Sequence, residues 1–91
     1  MKDLNTLRQE IDDIDRQLVA LFEQRMAVTH QVGLYKLANG IPVLDRSREE
    51  QVLAGKAALL QDKALTGDVT ELFEAIMAIS RRQQQSLLDG Q

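Results

Sequence analysis

From Leu4 to Tyr35 the apolar residues recur at alternating steps of three and four: Leu4, Leu7, Ile11, Ile14, Leu18, Leu21, then Val28, Val32 and Tyr35. That spacing keeps them on one side of a helix, in the manner of a coiled-coil-like seam. At about 1.5 Å per residue, a helix over about 4–38 is roughly 50 Å long. Asn39-Gly40-Ile41-Pro42 ends it: Gly40 suits a left-handed C-terminal turn, and Pro42 cannot continue the helix. A second helix is expected over about 46–61. Asp45 can cap it, or Ser47 with Glu50 can form a capping box. Val52, Leu53, Ala57 and Leu60 form its apolar face. A third is expected over about 67–88, with Thr66 as its cap and Asp68 in its first turn. Its stripe is Val69, Leu72, Phe73, Ile76, Met77, Leu87 and Leu88. No segment alternates with period two, so the fold class is all-α with three helices, one long and two shorter.

The lengths do not balance. Two shorter helices cannot cover a seam of roughly 50 Å, and the simplest cover is the same helix from a second copy. The expectation is an intertwined helical homodimer. A monomeric antiparallel three-helix bundle with a bent first helix is the competing arrangement. Composition agrees with the need for a partner. The chain has 91 residues, 3% aromatic residues and no cysteine, so neither disulfides nor thiolate-bound metal can staple a small core. A net charge of −3 argues against nucleic acid or an anionic membrane as partner. The start, Met1-Lys2-Asp3-Leu4, has no apolar run of signal-peptide kind, and the expected location is cytoplasmic.

Chemistry is written where polar residues interrupt apolar faces. The seam position between Leu21 and Val28 is Arg25. Lys36 follows eleven residues later, only ~20° away around the helix axis. Arg8 sits beside the same seam. On the third helix Ser80 and Gln84 occupy the stripe, four apart and so on one face. Asp45, Arg48 and Glu49 are separated by three and four and can meet at the start of the second helix. Two readings are open. In one, Arg25 fixes register, paired with Glu23, Asp45 or Glu49, and the cluster after Pro42 is ordinary helix-start chemistry. In the other, the cations converge on a small anion held between helices. His30 has neither a cysteine nor a second histidine to share a metal, and no nucleophile–base pair or glycine-rich phosphate loop is present. No metal and no cofactor are expected.

Taken in order, these residues resemble a known family. Leu7-Arg8-x-x-Ile11-x-x-Ile14-Asp15, Leu21-x-x-x-Arg25, Val32-Gly33-x-x-Lys36, Pro42-Val43-x-Asp45-x-x-Arg48-Glu49 and Ser80-x-x-x-Gln84 are similar to the all-helical chorismate mutases, over about residues 4–88. The resemblance implies a chorismate mutase domain over residues 1–91 that rearranges chorismate to prephenate in aromatic amino acid biosynthesis. It implies an intertwined dimer with two equivalent sites. Arg8 is donated across the interface, and Arg25, Lys36, Asp45, Arg48, Glu49, Ser80 and Gln84 come from the home chain.

A [3,3] rearrangement breaks a C–O bond and makes a C–C bond in one step, without acid, base or nucleophile. It needs a folded substrate and donors aimed at the ether oxygen as negative charge grows there. On this reading Lys36 and Gln84 are the catalytic donors. Arg8 and Arg25, with Arg48 and Ser80, hold the two carboxylates, and Glu49 and Asp45 accept from the ring hydroxyl. Gly33, unfavourable by about 1 kcal/mol inside a helix, is expected to allow close approach of a neighbour. Two alternatives stand beside this reading: elimination of pyruvate from isochorismate on the same scaffold, and a non-enzymatic helical dimerisation module. The C-terminal Asp89-Gly90-Gln91 suits either a free enzyme or a domain of a fusion.

Overall fold

Asp3 opens the first helix. Its side chain accepts from the Thr6 backbone N–H at 2.8 Å, satisfying one of the donors a helix start leaves free. That N–H, and then the Thr6 hydroxyl, hold the Asp3 carboxylate below its ordinary value of 3.8. A computed structural model describes residues 1–90; Gln91, the last residue of the expected 1–91 domain, lies outside the described residues. The elements are α1 (Leu4–Asn39), α2 (Arg46–Leu59), a 3-10 turn (Lys63–Leu65) and α3 (Thr66–Asp89), with no strand among the described residues. None of these helices is long and apolar enough to cross a membrane.

α1 runs unbroken for 36 residues and ends as its sequence requires: Gly40 adopts φ 66°, and its N–H reaches the Lys36 carbonyl. Asp45 caps α2, accepting from the Arg48 N–H at 3.0 Å, so the Ser47–Glu50 box is not used. α2 stops at Leu59 rather than near 61. Lys63 Nζ folds back onto the free carbonyls of Ala57 and Ala58 at 3.3 and 3.0 Å, which removes the need for another turn. Thr66 does not cap α3. Its hydroxyl donates backwards to the Lys63 carbonyl at 2.8 Å, and α3 continues directly from the 3-10 turn, whose own cap is Asp62.

α3 is the hub, packing against both α1 and α2. It meets α1 at Met26, Thr29 and Gly33. These lie about 100° around the axis from the adjoining seam positions Arg25, Val28 and Val32. The crossing is closest at Gly33, where an added Cβ would lie 2.9 Å from both Gln84 Cγ and Leu87 Cδ1. The long seam also reaches α3 at Arg25, which donates to Ser80 Oγ at 3.1 Å. Its apolar members from Leu4 to Tyr35 are all exposed, Ile14 at 57% and Leu18 at 55%. The buried apolar side chains among the described residues are Val52 and Met77.

Candidate active site

Three helices each offer one face to a single cavity of about 310 Å³. From α1 come Arg25, Thr29, Val32 and Lys36, at steps of four, three and four. From the start of α2 come Asp45, Arg48, Glu49 and Val52, and from α3 Met77, Ser80, Arg81 and Gln84. Both of these sets follow the pattern i, i+3, i+4, i+7, which lines one side of a helix. Seven of the eight residues singled out in the sequence thus share one cavity: Arg25, Lys36, Asp45, Arg48, Glu49, Ser80 and Gln84. Arg8 does not line it. It is exposed on the N-terminal half of α1, about 26 Å along the helix from Arg25.

The polar groups are anchored, and Gln84 and Lys36 keep donors to spare. Gln84, 7% exposed, donates from Nε2 to the Thr29 carbonyl at 3.0 Å, leaving its second N–H for another acceptor. Lys36 Nζ donates to the Val43 carbonyl at 2.8 Å, which ties the α1–α2 connection to α1 and leaves two ammonium hydrogens unspent. Arg25 Nη1 donates to Ser80 Oγ at 3.1 Å, and Ser80 passes its own hydrogen to the Ile76 carbonyl at 3.0 Å. A buried hydroxyl that accepts from a guanidinium and donates to backbone has spent its hydrogen and is fixed in direction. Among the described residues no buried side-chain nitrogen or oxygen lacks a partner.

These contacts give Arg25 a different partner from the ones expected. Its partner is Ser80, and it forms no ion pair with a carboxylate among the described residues, so the expected pairing with Glu23, Asp45 or Glu49 is not made. Glu49 is paired instead with Arg81, whose Nη1 reaches Oε1 and Oε2 at 2.5 and 2.6 Å. Four cations, Arg25, Lys36, Arg48 and Arg81, thus face two carboxylates, Asp45 and Glu49, in a chain whose net charge is −3. A cavity with that excess of positive charge suits an anion. No group of three or more His, Cys, Asp or Glu among the described residues is placed to hold a metal ion.

Arg81 and Thr29 are the polar lining residues that sequence reasoning missed. The signal for Arg81 was present: it stands four residues after Met77 and three before Gln84, on the face already identified. Thr29 gives its backbone carbonyl to Gln84, and no sequence pattern marks a carbonyl.

A sequence model described as chorismate mutase type II matches residues 7–85, which include all eight singled-out residues. The chain belongs to this family. Among curated members it is 35% identical over 86 residues to the bifunctional chorismate mutase/prephenate dehydratase of Escherichia coli, covering 93% of this chain and 22% of that protein. It is 34% identical over 71 residues to the T-protein of Haemophilus influenzae, covering 78% of this chain and 19% of that one. The intracellular chorismate mutase of Mycobacterium tuberculosis is 37% identical over 51 residues, which is 56% of this chain and 49% of that protein. The chain thus spans about a fifth of the length of the first two relatives. In fold it is similar to a solved structure, a conserved hypothetical protein from Pyrococcus furiosus. That similarity has a TM-score of 0.75 and 36% identity, over 89% of this chain and 93% of that one.

Proposed function

We propose that the chain converts chorismate to prephenate, as an intertwined homodimer in which each site takes Arg8 from the other subunit. The observation that carries the reading is the convergence of Arg25, Lys36, Ser80 and Gln84, on two helices, around one cavity with their donors anchored. The reaction has no net proton transfer. The ether C–O bond breaks as the new C–C bond forms, and the protein contributes orientation and electrostatics. Lys36 and Gln84 direct their remaining N–H groups to the ether oxygen, where charge develops. Arg25 and Arg48, with the partner subunit's Arg8, grip the two carboxylates, and Ser80 assists by holding Arg25 in direction; guanidinium forks suit that geometry. Glu49 and Asp45 accept from the ring hydroxyl. The catalytic unit is the whole chain, and the proposal extends to a cytoplasmic location, testable by cell fractionation.

Two features support the dimer. A domain's net stability of roughly 5–15 kcal/mol is what remains of burial terms on the order of 10² kcal/mol, and the buried apolar side chains among the described residues are Val52 and Met77, worth about 1.5–3 kcal/mol each. The missing burial lies on view along the seam from Leu4 to Leu21, and a two-fold pairing of α1 with itself covers it on both copies at once. In such a pairing Arg8, remote from its own cavity, is free to serve the partner's.

The test is direct. Chorismate is mixed with the purified chain without metal or coenzyme, and the ultraviolet absorbance of its conjugated diene is followed. The expected result is a fall in absorbance with prephenate as product. No turnover by a folded protein overturns the reading, and pyruvate released from isochorismate without prephenate replaces it with a lyase.

A further inference from the structure

Arg81 stands apart from the residues just assigned, because its charge is spent on Glu49 rather than left open to the cavity. Its Nη1 alone reaches both Glu49 oxygens, at 2.5 and 2.6 Å, bridging α3 to α2. The pair forms part of the wall between the cavity and a neighbouring groove that Leu44, Arg46, Glu50 and Leu53 line from the other side. Glu49 has a second cation within reach on its own helix. Arg46 stands three residues earlier, one turn away, and it lines the groove but not the cavity. Which arginine holds Glu49 therefore decides which side its carboxylate serves.

We propose that Arg81 is a positioning residue, which holds the Glu49 carboxylate at the cavity wall as an oriented acceptor for the substrate's ring hydroxyl. The inference rests on the functional reading above and adds a determinant of substrate selection to it. An ionised carboxylate has about four lone-pair sites, so the two contacts from Arg81 leave room for a hydroxyl. A contact with a hydroxyl that takes no part in bond making is the same in ground and transition states. Its loss raises KM and leaves kcat almost unchanged. A site built to bind a hydroxyl also discriminates against an analogue lacking it, and that discrimination depends on the acceptor being in place. Because one nitrogen makes both contacts, a lysine ammonium can replace it.

The experiment compares wild type, R81A, R81K, E49Q and R81A/E49Q, each checked for folding by circular dichroism and thermal melting. Substrates are chorismate and its analogue without the ring hydroxyl. For R81A the expected result is a rise of about tenfold in KM for chorismate, with kcat within about threefold of wild type. The preference for chorismate over the analogue shrinks toward one. R81A adds nothing in the E49Q background, and R81K recovers most of the wild-type behaviour. Unchanged kinetics in R81A overturn the proposal. So does a loss equal for both substrates and additive with E49Q, which makes Arg81 a direct ligand of a carboxylate. A loss that merely tracks the fraction of folded protein makes the pair structural. If wild type turns over chorismate while R81A behaves as wild type, the inference alone fails. A folded wild type inert toward chorismate removes the functional reading and this inference together.

Discussion

The two halves of α1 carry similar apolar spacing, but among the described residues only the second forms hydrogen bonds to α3. From Arg25 onward the helix lies against α3: Thr29 gives its carbonyl to Gln84, Arg25 bonds to Ser80, and Gly33 lets the two backbones approach. From Leu4 to Leu21 the seam continues in register, and its Leu and Ile side chains are exposed. The difference teaches that one helix carries two sets of instructions along its length. One is read by the same chain and builds the cavity. The other has no reader within the chain and is the basis for proposing a second copy.

The largest effect is expected in the half that builds the cavity. Lys36→Ala removes the proposed donor to the ether oxygen, and losing one preorganised donor typically lowers the rate by ~10²–10³. Turnover is expected to fall by at least that much while the far-ultraviolet dichroism stays helical. Near-normal turnover removes Lys36 from the mechanism. Gln84→Glu sharpens the same point: only a protonated carboxyl can donate, so activity is expected to rise as pH falls, and a flat profile contradicts the assignment.

The other half is probed next. Ile14→Glu places a charge in the middle of the exposed seam. If that seam is an interface, sedimentation is expected to show loss of the dimer with a matching loss of activity. A variant with unchanged mass and activity leaves the seam without a role. Gly33→Ala tests the join between the halves. Helix propensity favours alanine by about 1 kcal/mol, while forcing a methyl into a packed crossing typically costs about 1–3 kcal/mol. With two side-chain atoms 2.9 Å from the new Cβ, a net destabilisation of about 1 kcal/mol is expected from denaturant melts, together with slower turnover as Gln84 shifts. A stabilised variant shows that Gln84 and Leu87 yield freely.

The smallest effect belongs to the capped N-terminus. Because the Asp3 carboxyl is held below its ordinary value in the folded chain, its contribution is present above the unfolded value and is lost as pH falls through the folded one. Removing the cap with Asp3→Ala is expected to fray the first turn of α1 at neutral pH and to abolish that acid-dependent fraying. Amide exchange at Thr6 and Leu7 reads both. Identical exchange in the two proteins across the acid range removes the cap from the account.

What was legible in the sequence follows the same division. Helix class, the end of α1 and the start of α2 could be read because Gly40 and Pro42 act through their own backbone and the Asp45 side chain reaches only the N–H three residues on. The grouping of Arg25, Lys36, Ser80 and Gln84 could be read because polar residues on apolar stripes stand out. The stop of α2 and the start of α3 could not, since both depend on where Lys63 and Thr66 send a flexible side chain among competing carbonyls. Nor could the Glu49–Arg81 pair, which joins residues 32 apart and needs the packing of α2 on α3 to be known. The two stripes of α1 are also hard to separate in sequence: the seam reads strongly because it is Leu- and Ile-rich, whereas the packed face is marked by Met26, Thr29 and Gly33.

The sharing of one site by two chains is most directly tested by mixing Arg8→Ala with Lys36→Ala. Each variant alone should be nearly inactive. Random reassortment makes half of the dimers mixed, each with one undamaged site, so about a quarter of wild-type turnover should return. If mass spectrometry confirms the mixed dimers and no activity reappears, Arg8 does not act across an interface, and that part of the account is wrong.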